Sequence, residues 1–277
     1  MQHMEGTFKG LRGLDIYYQG WLPEGEVKAV LFLVHGLGEH SGRYMNVVHY
    51  FVPLGYAVYG LDHIGHGKSG GEREMVARFE DYTETLITYY KMVTGWQPGK
   101  PVFIYGHSMG GLITSFHLLD RQADFKGAVI SAPAVKVPAN ITPLTISLSK
   151  ILSKIAPKMG MIALDTSNLT HDSQAVEAYN TDPLVFHGKT PARLSAEMLR
   201  GMLRVTAEAG KINLPVLILQ GQEDHLVDPA GAQMLYAAVS SPDKTLKLYP
   251  GLFHEVHNEP QRELMFKDLE DWLAARL

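Results

Sequence analysis

The amino-acid sequence predicts an α/β fold in which a mostly parallel central sheet is flanked by helices. Three observations lead there. Short apolar runs recur along the chain: Ala29 to Val34, Ala57 to Leu61, Val102 to Tyr105, Ala128 to Ile130, Val216 to Leu219 and Leu246 to Tyr249. Each is strand-length and nearly continuous rather than alternating, the pattern of strands buried on both faces of a parallel sheet. Amphipathic stretches lie between and after the runs. Leu194, Met198, Met202 and Val205 form a stripe within Arg193 to Ala209, and Met265, Leu269, Trp272 and Leu273 form another near the C-terminus; both read as core-packing helices. Finally, several runs end at glycines (Gly36, Gly60, Gly106, Gly221 and Gly251), and turns at the C-terminal ends of parallel strands are where such sheets hold ligands.

The bulk properties agree. With 277 residues, 45% hydrophobic and 19% charged, the chain can bury one large core. The 25 basic and 29 acidic residues leave a net charge of −4, which argues against a nucleic-acid partner. No apolar run is long enough to span a bilayer, and Met1 to Gly10 has no apolar signal segment. Without cysteine there is no disulfide, thiolate nucleophile or Cys-based zinc site. The expected location is cytoplasmic and peripheral to membranes.

One region breaks the rhythm. Between about Ala134 and Thr190 no parallel strand is evident. Leu144, Leu148, Ile151, Leu152 and Ile155 recur at helical spacing, with Thr145, Ser149, Lys150 and Ser153 opposite, followed by Met159, Met161, Ile162 and Leu164. An insertion here reads as a helical cap over 134–190, dividing the core into 1–133 and 191–277.

The sharpest feature is Gly106-His107-Ser108-Met109-Gly110-Gly111, placed directly after an apolar run and before a helical pattern (Leu112, Ile113, Phe116, Leu119). This is G-x-S-x-G in a strand–turn–helix context, which exposes the serine hydroxyl at the sheet end. Ser108 is the expected nucleophile, with the Met109 N–H at the helix N-terminus as an oxyanion donor. A serine needs a base and the base an orienting acid, in the chain order Ser, Asp, His. Asp224 follows the Val216 run and His254 follows the Leu246 run. Glu223 and Asp228 compete with Asp224, and His225 and His257 with His254. The second oxyanion donor falls in His35-Gly36-Leu37-Gly38, as the Leu37 N–H, with His35 bracing the loop. Asp62, His63 and His66 cluster, but no H-E-x-x-H spacing exists, and His254-Glu255-Val256-His257 is one residue too short for it. Neither a metal nor any other cofactor is expected.

With these residues in place, the chain resembles the monoacylglycerol lipases of the α/β-hydrolase superfamily, a group that also includes lysophospholipase-like serine hydrolases. The matching words are His35 to Tyr44, Asp62 to Ser69, Gly106 to Gly111, Tyr179 to Leu184, Gln220 to Asp224 and His254 to His257. The match runs from about residue 10 to the C-terminus and is weakest in the cap. The resemblance implies an α/β-hydrolase fold, a Ser108–His254–Asp224 triad, and Leu37 and Met109 as oxyanion donors. It also implies Glu39, Arg43, Tyr179 and His257 around the glycerol end of the pocket. The implied substrate is a monoacylglycerol or related fatty-acyl ester, cleaved through an acyl-enzyme. A lysophospholipase or broad carboxylesterase would use the same triad; acyl transfer would differ only in the acceptor. A non-catalytic binding protein on this fold would typically lack a triad member. The amphipathic cap adds two expectations. Leu148, Ile151, Leu152 and Ile155, with Met159 and Ile162, wall an acyl tunnel. The same face, with Lys150 and Lys154 beside it, makes transient contact with lipid aggregates or a membrane surface.

Overall fold

The computed structural model describes residues 1–139 and 141–277. Two N-terminal strands, β1 (Gln2–Lys9) and β2 (Asp15–Leu22), precede β3 (Ala29–Val34), α1 (Met45–Phe51), β4 (Tyr56–Leu61), α2 (Glu80–Trp96), β5 (Val102–His107), α3 (Met109–Arg121) and β6 (Gly127–Ser131). The chain then leaves the sheet through α4 (Pro143–Ile155), β7 (Gly160–Ile162), α5 (Ser173–Thr181), β8 (Thr190–Pro191) and α6 (Ala192–Glu208). It returns with β9 (Val216–Gly221), α7 (Ala230–Ala238), β10 (Lys244–Tyr249) and α8 (Arg262–Ala274).

The sheet runs β1-β2-β4-β3-β5-β6-β9-β10. β1 pairs antiparallel with β2, and β2 with β4; every later pairing is parallel. Alternate residues of one strand feed opposite cores. Val30, Phe32 and Val34 pack with α2, α3 and α6, while Ala29, Leu31 and Leu33 pack with α1 and α8. Burial on both faces is why these strands read as unbroken apolar runs. β4 lies on one side of β3 and β5 on the other, so the strand order reverses between β3 and β5. The crevice at the C-terminal ends of such a pair is where a doubly covered sheet accommodates a ligand.

Two features depart from the sequence reading. β1 and β2 were not expected. β1 is an edge strand whose exposed and half-buried residues alternate, and its few apolar side chains give no continuous run. The second departure is α4. Its N-cap is Thr142, whose hydroxyl accepts from the Thr145 N–H at 3.2 Å. The helix packs on α6 with Ser149 and Ser153 turned inward, and Arg193 donates to Ser153 Oγ at 3.2 Å. Leu144, Leu148, Ile151 and Ile155 therefore face outward, between 55% and 76% exposed. Among the described residues, no helix is long and apolar enough to cross a membrane.

Glu74, in the loop between β4 and α2, is 2% exposed at φ +51, and its Oε2 has no hydrogen-bond partner among the described residues. Burial outweighs the neighbouring Thr190 hydroxyl and pushes the carboxyl up from 4.5 to about 7. Across that window the native state holds a proton that the unfolded chain has released, so stability falls as pH rises. Glu74→Gln is expected to be more stable than the parent above pH 7, by ~3 kcal/mol, with no advantage below pH 4.5. Thermal unfolding across pH checks this; an advantage that does not change with pH would contradict it.

Candidate active site

The turn from β5 into α3 holds Ser108 at φ +56, ψ −119. Such backbone is costly for a residue with a side chain and persists only where its surroundings enforce it. Here they do. The Ser108 N–H donates to Ser131 O at 3.0 Å, and the Ser108 carbonyl accepts from Leu112 N and Ala134 N. A Cβ at Gly106 would overlap the Gly110 carbonyl and Thr114 Oγ1, and one at Gly110 would overlap the Val34 carbonyl. The flanking glycines thus let α3 press against β3 and β5 while the serine is thrust into the crevice.

The loop after β3 lies against the elbow: a Cβ on Gly36 would sit 3.3 Å from the Ser108 Cβ. His35 fixes this loop as expected. Its Nε2 accepts from the His63 N–H at 2.8 Å, so Nδ1 carries the proton and donates to the Gly36 carbonyl at 2.8 Å. The Gly36 N–H donates to Glu39 Oε1 at 2.6 Å. The next amide, Leu37 N–H, and the Met109 N–H donate to no acceptor among the described residues. Two free amides beside one hydroxyl are what an oxyanion needs.

Asp224 and His254 come together from the loops after β9 and β10. A Cβ on Gly221 would overlap the Phe253 carbonyl, so the two loops touch backbone to backbone. Asp224 Oδ1 accepts from Leu226 N and Val227 N, and Oδ2 from Gln220 Nε2 and, at 2.7 Å, from His254 Nδ1. Nδ1 being the donor, Nε2 is left as the free ring nitrogen. Burial pushes the His254 pKa down, but the Asp224 carboxylate, helped by Glu255 and Glu39, raises it above 6.5. Burial likewise opposes ionisation of Asp224, and His254 with the two backbone amides brings its pKa below the usual range. The competing residues do not make this contact. Glu223 and His225 are exposed, Asp228 lines the cavity but pairs with Lys136, and His257 is wholly buried. Ser108 and His254 line the same cavity, with no hydrogen bond between them; catalytic contacts of this kind commonly tighten only in the reacting complex.

That cavity measures about 490 Å³, within the usual range for a small-molecule site. Leu37, Glu39, Arg43, Tyr179 and Glu255 line it with Ser108 and His254, as do Ile162, Leu164, Leu169, Met198, Met202, Leu226 and Val227. Four expected tunnel residues are corrected: Leu148, Ile151 and Ile155 do not line the cavity, because α4 presents them outward, and Leu152, half-buried on the helix, does not line it either, nor does Met159. His257 is also corrected. It stacks on Tyr44 at 4.9 Å between centroids, beneath the site and off the cavity wall. Met198 and Met202 lie one helical turn apart in the α6 stripe that was read as core. Glu255, noted only as part of His254-Glu255-Val256-His257, carries no role in the sequence reading, as no spacing rule marks one.

Among the described residues, no group of three or more His, Asp or Glu side chains converges as a metal site. Asp62 is engaged by Ser41 N, Ser41 Oγ and Lys68 N, and burial drives the pKa values of His63 and His66 down.

Sheet, elbow and facing loops define an α/β-hydrolase. Residues 25–261 match the family described as "Serine aminopeptidase, S33", and the chain belongs to that hydrolase family. It is 35% identical over 273 residues to a monoacylglycerol lipase of Mycolicibacterium smegmatis, covering 99% of this chain and 98% of the relative. It is 34% identical to the monoglyceride lipase of Homo sapiens, covering 95% and 88%. The crystal structure of Paleococcus ferrophilus monoacylglycerol lipase superposes with a TM-score of 0.82 at 30% identity, covering all of both chains.

The hydrogen bond to Asp224 gives a direct test. Proton NMR of the His254 ring should show titration above pH 6.5, and Asp224→Asn should move it downward. An unchanged titration would mean that the carboxylate does not control the imidazole.

Proposed function

We propose that this chain, a carboxylic ester hydrolase, cleaves monoacylglycerols to fatty acid and glycerol through an acyl-enzyme on Ser108. The observation that carries the proposal is one cavity whose wall joins Ser108 and His254 to an apolar lining and to a charged cluster of Glu39, Arg43 and Glu255. A single acyl chain suits the apolar lining, where each buried methylene gains ~0.8 kcal/mol. A small polyol suits the polar end of the cavity that this cluster frames. The names of the relatives from M. smegmatis and human point to the same substrate.

In this reading Ser108 Oγ attacks the ester carbonyl as His254 Nε2 takes its proton. Asp224 holds the ring through Nδ1–H and stabilises the imidazolium. The carbonyl oxygen, now an oxyanion, is held by the Leu37 and Met109 amides, one such donor being worth ~3 kcal/mol. The imidazolium protonates the departing glycerol oxygen. Water, deprotonated by His254, then attacks the acyl carbon, and Ser108 leaves with the proton.

Residues 134–190 serve as the cap in this proposal, between the core parts 1–133 and 191–277. The outward face of α4 supports a role at lipid aggregates or a membrane surface. Leu144, Leu148, Ile151 and Ile155 stand exposed there, beside exposed Lys150 and Lys154. Apolar side chains rimmed by cations suit shallow insertion between lipid headgroups.

Three experiments test the proposal. Ser108→Ala should lower kcat by up to ~10⁶-fold, because members of such a triad act as a unit, and should abolish labelling by a fluorophosphonate probe; retention of most activity would refute the nucleophile. A C10–C14 monoacylglycerol should be cleaved more efficiently than p-nitrophenyl acetate or lysophosphatidylcholine. For the cap, Leu148→Glu/Ile151→Glu should reduce turnover of dispersed monoacylglycerol about tenfold while leaving hydrolysis of dissolved p-nitrophenyl acetate intact. Equal losses on both substrates would contradict the surface role.

A further inference from the structure

Arg43 lies between the loops that supply the oxyanion amide and the base, and it binds a carboxylate from each. Nη1 donates to Glu39 Oε2 at 2.6 Å and to Glu255 Oε1 at 2.6 Å, and Nη2 donates to Glu255 Oε2 at 2.9 Å. All three side chains are at most 9% exposed. Each carboxylate is in turn tied to the machinery. Glu39 Oε1 accepts the Gly36 N–H, one residue before Leu37, and the Tyr44 hydroxyl at 2.7 Å. Glu255 directly follows His254, accepts from Asn258 Nδ2 at 2.8 Å, and donates its own N–H to Leu169 O.

Two carboxylates on one guanidinium leave a buried net negative charge. Such a group survives only if its remaining lone pairs are satisfied, as the Gly36, Tyr44 and Asn258 donors do here. The hydrogens of Nη1 are both used, and the guanidinium carbon lies 4.5 Å from the centroid of the Tyr179 ring. Arg43 is therefore occupied by protein on several sides, which leaves it a poor candidate for gripping a glycerol hydroxyl.

We infer that Arg43 and Glu255 are positioning residues: a bidentate clamp that sets the Leu37 amide and the His254 ring at a fixed separation, acting through Glu39 on one side and Glu255 on the other. The inference rests on the reading of Ser108 as nucleophile and His254 as base. Misplacing either partner by about an ångström costs on the order of 10²-fold in rate. Lys in place of Arg43 keeps the charge but loses the planar fork that holds two carboxylates at once.

The test compares Arg43→Lys and Glu255→Gln on a p-nitrophenyl ester and a monoacylglycerol of the same acyl chain. A clamp predicts a kcat loss of about 10²-fold, equal on both esters, with KM little changed and fluorophosphonate labelling slowed in parallel. A second readout separates this from scaffolding. The groups facing the His254 ring are Asp224 from the β9–α7 loop, Glu39 from the β3 loop, Glu255 beside it, and Arg43, His107 and His257. Both Glu255 and Glu39 help Asp224 hold the ring's pKa up. Glu255→Gln should therefore move the acid limb of the kcat/KM profile to lower pH, and Glu255→Asp should restore it.

A loss confined to monoacylglycerol, seen as a raised KM, would overturn the clamp and make Arg43 a substrate contact. Unchanged kinetics on both esters, or an unmoved acid limb, would also overturn it. Should Arg43→Lys fail to fold, Glu255→Gln, which keeps the side-chain shape, carries both readouts. Ser108→Ala is run alongside: if it retains activity, the nucleophile reading has failed rather than the clamp.

Discussion

A serine held in left-handed backbone at the end of β5 is the constraint on which the rest of this structure depends. Conformations of that kind cost about 1–3 kcal/mol, and the surrounding structure holds this one in place. β6 grips the Ser108 N–H through the Ser131 carbonyl. The bare Cα atoms of Gly106 and Gly110 let α3 settle where any side chain would collide with backbone. The hydroxyl is thereby fixed at the reversal point of the strand order. β3, next to β5, then necessarily delivers the Leu37 amide beside it. β9 and β10, further along the same sheet, deliver Asp224 and His254, hydrogen-bonded to each other. The four site loops belong to one sheet edge, so the strained turn orders a site assembled from distant parts of the chain.

Burial alone does not make a reactive group; the partner decides. Burial lowers the pKa values of His35, His63, His66, His107, His117 and His257, leaving these rings neutral fillers and braces at physiological pH. His254 is just as buried, yet the Asp224 carboxylate raises its pKa. The glutamates repeat the contrast. Glu255 on Arg43 falls to about 2, whereas Glu74, without a cation, climbs to about 7. In a low-dielectric interior one opposite charge at hydrogen-bond distance reverses the sign of the effect. The charge needed at the site is therefore placed by pairing, and protons elsewhere in the core are left untouched.

What could be read in the sequence follows from which interactions are local. β3, β4, β5, β6 and β9 were legible because burial on both faces writes itself into consecutive residues, and β10, half-buried at the sheet edge, showed through Leu246, Leu248 and Tyr249. The elbow was legible because its glycines and serine are adjacent. β1 was not, since an edge strand with one wet face needs few apolar residues. The α4 stripe was visible, but periodicity gives a stripe without saying which way it faces. Packing of Ser149 and Ser153 on α6 decides that, and no window of the chain contains both helices. The tie between Arg43 and Glu255 spans 212 residues, so its partner carboxylate looked like any other glutamate beside a histidine.

The outward turn of α4 also decides which residues line the cavity. With Leu148, Ile151 and Ile155 turned outward, the apolar lining comes from Ile162 and Leu164, from Leu169, from Met198 and Met202 on α6, and from Leu226 and Val227 after Asp224. α6 packs on α3, the elbow helix, as well as on α4, so the part of the wall it forms is anchored to the core. Methionine adjusts its shape at small cost, so the Met198–Met202 pair makes this part of the wall adaptable without moving the elbow. The apolar wall of the cavity is thus drawn from α6 and the β9–α7 loop, while the apolar face of α4 is left to solvent. The two apolar surfaces are carried by different residues and can change independently.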